Sequence, residues 1–308
     1  MLVGLPDQWD TCSRTINLES RPSAFAHSHS GDTMVVGLES GVVLLDVVTG
    51  SGMPVLCDHS GIRAVTLALS LDGTLLVSGN SDGGVKAWDI QTGGVIGTLD
   101  NISHVKAVSI SPDTTTIALG TVDGTIGLWD VRTRKCHFIE RAHDGVVSAI
   151  AFSPINYRQF VSSSCDGTVG QWDVDGHQVR AFRHGKDPVQ NIAYSPDGTC
   201  FVSCTARVAT IRNSEFGAVV AKFDAPGATM FNQCCFSLNG RFVACTGQKT
   251  IYIWEITNSG ARLVRHLVGH SDFVEFIAFS SSLISASKDQ TIRFWPINSS
   301  PKDCQGNA

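Results

Sequence analysis

Charge is scarce in this 308-residue chain: 17% of residues are Asp, Glu, Lys or Arg, the formal net charge is −5, and no run of Lys and Arg forms a basic stripe. A nucleic-acid or anionic-membrane partner needs a basic stripe or patch, so neither is expected. Long apolar runs are missing too, and none approaches the roughly 18 uncharged residues of a membrane span. The opening MLVGLPDQWD has neither the charged start nor the apolar core of a secretory leader. These absences point to a soluble, cytoplasmic protein. C-x-x-C pairs are also absent, although cysteines stand at 12, 57, 136, 165, 200, 204, 234, 235, 245 and 304. The adjacent Cys234 and Cys235 would face opposite sides of a strand, which argues against a shared tetrahedral zinc. Free thiols in a reducing compartment are expected, with no metal and no cofactor.

Two catalytic motifs are present in letters and missing in context. Gly79-Asn80-Ser81-Asp82-Gly83 fits G-x-S-x-G, but that elbow needs a strand turning into a helix, and GVKAWDI alternates as a strand does. Gly247-Gln248-Lys249-Thr250 resembles the end of a phosphate-binding loop, yet Gln248 intrudes before the lysine and Phe242 stands where the first glycine belongs. Both read as turns between strands. Asn101-Ile102-Ser103 and Asn298-Ser299-Ser300 are formal glycosylation sequons, expected to be unused without a secretion signal.

What the chain has in abundance is repetition. DGGVKAWDI, DGTIGLWDV, DGTVGQWDV, QKTIYIWEI and DQTIRFWPI place tryptophans at 88, 129, 172, 254 and 295. Two degenerate copies, SGVVLLDV and ARVATIRN, put Leu45 and Ile211 in the tryptophan position and bring the count to seven. Successive anchors then lie 43, 41, 43, 39, 43 and 41 residues apart. Upstream of most anchors comes a turn phrase, SLDG at 70, SPD at 111, SP at 153, SPDG at 195 and SLNG at 237, after an alternating segment such as VSAIAFS. No helical period appears. Four short strands every 42 or so residues make a blade that must stack on its neighbours, which predicts an all-β, seven-bladed propeller over residues 1–297. Residues 298–308 read as a polar, fraying tail.

These phrases resemble the WD-repeat family. The resemblance implies a buried network of His, Ser or Thr, Asp and Trp in each complete blade. The fourth blade supplies His143, Ser162, Asp166 and Trp172, and the seventh His270, Ser285, Asp289 and Trp295. The second has His59, Ser78, Asp82 and Trp88, with one extra residue before Ser70 that suggests a bulge. The third keeps Asp123 and Trp129 but has Asn101 and Leu119 for the other two, and blades one, five and six are read as lacking the network. A His–Asp pair that recurs in three blades speaks for structure, since an enzyme needs one. The family also implies closure by an N-terminal strand, here SRTINL at 13–18. The preceding Trp9-Asp10 looks like the cut end of an earlier repeat, either from a longer array or as a relic.

Longer phrases, among them CHFIERAHDGVVSAIAFSP, RNSEFGAVVAKF and AFSSSLISASKDQTIRFWPI, resemble the C-terminal propellers of fungal NACHT-type receptors, from about Phe25 to Ile297. That resemblance implies a non-catalytic protein- or peptide-binding scaffold, the sensing or autoinhibitory part of a larger receptor, monomeric as an isolated propeller. The alternatives are a structural spacer, or a propeller enzyme such as a lactonase or quinoprotein. WD-repeat propellers often bind through the narrow face. The family positions fall here on Arg63, His104, Lys106, Val146, Ser148, Cys165, Pro188, Gln190, Met230, Asn232, Phe273, Glu275 and Lys288. Arg63, His104, Lys106, Met230, Asn232, Phe273, Glu275 and Lys288 form the candidate protein-binding set.

Overall fold

A computed structural model describes residues 12–296, apart from 29–32, 40, 48, 50–51, 57–63, 81, 101, 228–229 and 258. His59, Arg63, Ser81, Asn101, the Trp9-Asp10 pair and the tail 298–308 lie outside the described residues. The chain forms seven antiparallel four-stranded sheets and no helix among the described residues. Six sheets use four consecutive strands. The seventh combines Val274–Phe279, Ser282–Ser287 and Thr291–Pro296 with the N-terminal strand Arg14–Asn17. Arg14 pairs with Phe294 and Asn17 with Thr291, and the Ser13 and Leu18 amides extend the ladder at 2.8 Å each. The inner strands pack side by side around an axis, and Ala24–His27 of blade one lies against Val274–Phe279 of blade seven, which closes the ring.

Burial follows position in the blade. The second strand has neighbours on both faces and is buried throughout in blade two, Leu75–Asn80, whereas the outermost strand of blade four, Gln178–Arg183, is almost wholly exposed. Period-two alternation sends one side of each sheet to the preceding blade and the other to the next. Trp172 thus packs with Ala118, Ile126 and Leu128 of blade three, and Trp129 with Val77, Val85 and Ala87 of blade two. Each such ring removes roughly 150–250 Å² from water, at most about 4 to 6 kcal/mol before entropy is counted. Cys234 and Cys235 do face opposite ways, the first toward the core shared with blade five and the second toward blade seven. Every described cysteine is a free thiol.

The bulge expected in blade two between His59 and Ser70 is present as a register shift at the start of the inner strand, between Ala64 and Thr66, and a corresponding shift recurs in blades three to seven. One sequence expectation about the blades changes. The tryptophan slot of blade five is Arg212, not Ile211. In blade four Phe160 pairs with Trp172; at the same place in blade five Phe201 pairs with Arg212. Ile211 points the other way, into the core shared with blade six.

Candidate interaction face and the blade networks

In blade seven the Trp295 indole N–H donates to Ser285 Oγ at 2.8 Å, and Ser285 Oγ lies 2.8 Å from His270 Nε2. His270 Nδ1 is 2.9 Å from Asp289 Oδ2. The donor inventory then fixes the direction: the carboxylate can only accept, so His270 donates from Nδ1 and Ser285 donates its hydroxyl proton to Nε2. Burial holds His270 below the ordinary imidazole value despite Asp289, which keeps the ring neutral. Asp289 falls to about 2, because bonds from Thr291, His270 and the Ser271 amide outweigh its burial. Asp, His and Ser stand in the order of a hydrolase triad, but Ser285 is 0% exposed and its oxygen already accepts the indole proton. No substrate carbonyl can reach it.

Blade four repeats the Trp172–Ser162–His143 chain at 2.8 and 2.6 Å, and differs at its end. His143 Nδ1 meets the Thr168 hydroxyl at 2.9 Å, with Asp166 Oδ2 farther off at 3.4 Å. Asp166 mainly anchors the turn, accepting from the Asp144 amide and from the Thr168 amide and hydroxyl. Those bonds hold its carboxyl below the usual range against the opposing effect of burial. In blade two Trp88 donates to Ser78 at 3.0 Å, and Asp82 accepts from the Gly84 amide. The residues after that turn form the strand Val85–Asp89, so no nucleophile elbow is built there. Blade three shows the cost of a missing member. Leu119 fills the serine place, and the buried Trp129 N–H has no acceptor among the described residues.

Blade five is not devoid of the network. His184 Nε2 lies 2.7 Å from Ser203 Oγ, while the tryptophan has become Arg212 and the turn has lost its Asp-Gly. The signal was available: His184 follows His143 by 41 residues, and Ser203 follows Ser162 by 41.

At one end of the ring, the backbone pins the candidate binding positions. The amide before the turn aspartate donates to the entry of the inner strand in three blades: Val122 to His104, Cys165 to Val146 and Lys288 to Phe273, at 3.0, 2.9 and 2.9 Å. Lys106, Val146, Ser148, Cys165, Gln190, Asn232 and Glu275 line one central cavity of about 490 Å³. His104, Met230, Phe273 and Lys288 stand outside its lining. Ser148 is engaged within the frame, donating to the Val189 carbonyl at 2.6 Å, and the side chains of Asn191 and Gln233 likewise accept amides of the next blade. Lys288 bridges to Glu275 at 3.2 Å and sits 5.6 Å from the Phe273 ring centre. Met230 is 57% exposed and Phe273 48%.

Seven closed sheets carrying recurrent Ser–Trp bonds define a WD-repeat β-propeller, and the WD domain, G-beta repeat family model matches residues 217–255 and 261–296. The model described as nucleolar protein 10-like, N-terminal domain, matches residues 10–210, about two thirds of the chain, and the chain belongs to that β-propeller family. No curated protein matches the sequence. Among solved structures, a chain in the crystal structure of a mitotic checkpoint complex superposes with a TM-score of 0.85 at 20% identity, over 97% of this chain and 99% of that chain. At that identity the likeness speaks for the fold alone.

Proposed function

We propose that the protein is a non-catalytic interaction scaffold that binds a protein or peptide partner through the end of the ring carrying Phe273, Met230 and the mouth of the central cavity. The observation that carries this reading is the pair of exposed apolar side chains at strand entries: Phe273, whose carbonyl accepts from the Lys288 amide, and Met230, next to Phe231, whose amide donates to the Ala206 carbonyl. A side chain on a fixed frame loses little entropy on binding, and aromatic anchors dominate interface energetics. Phe273 is further oriented by Lys288, itself held by Glu275, so this corner offers an apolar surface of little net charge. Lys106, exposed at the cavity mouth and in no ion pair among the described residues, supplies a contact for an acidic group. Met230 adds an adaptable apolar surface at the entry to the neighbouring blade.

A photocrosslinking residue placed at 273 tests this, with one at Ile155, which is 63% exposed in the hairpin after the inner strand of blade four, as the comparison. Adducts with a discrete partner from 273 and not from 155 support the reading. Replacing Phe273 and Met230 by Ala should weaken capture of that partner more than tenfold, about 1.4 kcal/mol, with the melting temperature unchanged. Absence of any adduct at 273 would favour a spacer. The finer reading, a sensing or autoinhibitory propeller within a NACHT-type receptor, rests on the quoted phrases and requires an NTPase module on the same polypeptide. The family is named for a nucleolar protein, whereas the composition favours the cytoplasm; imaging a tagged chain decides between them.

A further inference from the structure

Blade five departs from its neighbours in a concerted way. Its tryptophan slot holds Arg212, whose Nε is buried without a hydrogen-bond partner among the described residues. One guanidinium nitrogen donates to the Gly217 carbonyl at 3.1 Å, and the group lies 5.0 Å from the Phe182 ring centre. Thr210 occupies the place of Gly170, where a Cβ would collide with the Trp172 ring. The indole's volume is therefore replaced by space: a cavity of about 140 Å³ between blades four and five, whose lining includes Arg183, His184, Asp187, Thr210, Arg212 and Lys222. It shares no residue with the central cavity.

The electrostatics of this cleft are uncompensated. Three permanent cations, Arg183, Arg212 and Lys222, face one carboxylate, Asp187, leaving two positive charges, and none of the four forms an ion pair among the described residues. Burial lowers Arg212, a guanidinium left without a counter-ion. His184 is pushed down to about 4, first by burial and then by Arg212 and Lys222, so at neutral pH it adds no charge and serves Ser203. A net double positive charge that includes planar guanidinium groups, beside a hydroxyl, suits a compact tetrahedral dianion, and the cavity is too small for a nucleotide.

We propose that the cleft between blades four and five is an oxyanion site for a single phosphoryl group, held by Arg183, Arg212 and Lys222 with the Thr210 hydroxyl at its wall. Free orthophosphate and a phosphate monoester share this chemistry. Titration calorimetry at pH 7.5 and constant ionic strength, with orthophosphate and O-phosphoserine as probes and chloride as the reference, tests it. One-site binding is expected in the native chain. It should weaken more than tenfold in Lys222→Ala, a change at an exposed side chain, and in Arg212→Trp made together with Thr210→Gly, which clears the Cβ that would collide with the indole facing Ser203. Arg183→Ala serves as a third variant should that double replacement fail to fold. Tighter binding of orthophosphate than of phosphoserine assigns a free ion; equal or tighter binding of phosphoserine assigns a phosphorylated side chain. No saturable binding of either probe, or undiminished binding in both Lys222→Ala and Arg183→Ala, overturns the proposal. Because the cleft lies outside the cavity-mouth set, loss of this site leaves crosslinking from residue 273 intact.

Discussion

Trp172 and Trp129 occupy the same slot in adjacent blades and differ in one respect that stability should report. Trp172 donates to Ser162 at 2.8 Å; Trp129 carries a buried N–H with no acceptor among the described residues, because Leu119 stands where Ser162 stands. Replacing each with Phe removes a similar volume from a similar apolar interface, so the cavity costs are alike to first order. The polar contributions have opposite signs. Trp172→Phe gives up a buried hydrogen bond of about 1 kcal/mol, whereas Trp129→Phe removes an unsatisfied donor whose burial costs about 1 to 3 kcal/mol. Trp172→Phe should therefore be the more destabilising by about 2 to 4 kcal/mol, read from chemical denaturation midpoints at a common slope. A double-mutant cycle sharpens the comparison: in a Leu119→Ser background, Trp129→Phe should cost more than it does in the native chain, since the indole then has an acceptor. Equal destabilisation by the two single replacements would refute the assignment of Leu119 as the missing acceptor.

Asp289→Ala should destabilise more than Asp166→Ala, each by about 1 to 3 kcal/mol, because Asp289 accepts directly from His270 while Asp166 serves the turn; thermal unfolding of the two variants checks the order. Deleting residues 1–19 should expose the edge of Thr291–Pro296 and produce aggregation in light scattering, and a soluble monomer with the native melting temperature would show that the N-terminal strand does not close the ring. Stability should fall as pH drops below about 6.5. His184, His143 and His270 all have lowered values in the folded chain, so the unfolded chain takes up their protons first. For His184 the loss runs from 6.5 down to about 4 and amounts to about 3 kcal/mol, and His184→Gln should flatten the profile over that window.

The architecture was legible in the sequence because a propeller writes its geometry into spacing. Seven anchors at nearly constant intervals, most of them after a turn phrase, could belong to no helical fold, and the Ser13–Leu18 segment could be named as the closing strand from the sequence. The turn phrases themselves are local chemistry: Ser70, Ser111, Ser195 and Ser237 each donate to the Asp or Asn two residues on, so their role needs no long-range partner. Tertiary structure decided what local spacing leaves open. Blade five lost its Asp-Gly turn, so counting along the chain placed Ile211 in the tryptophan slot. One residue of register inverts which face of a strand a side chain occupies, and only the pairing of Phe201 with Arg212 settles it. Whether an aspartate accepts a hydrogen bond from its histidine, as Asp289 does at 2.9 Å, or stays a longer contact, as Asp166 does at 3.4 Å, depends on tenths of an ångström set by packing. The cationic cleft was equally invisible, because Arg183, Arg212 and Lys222 are 29 and 10 residues apart in a chain with little charge, and only the docking of two blades brings them to face one cavity.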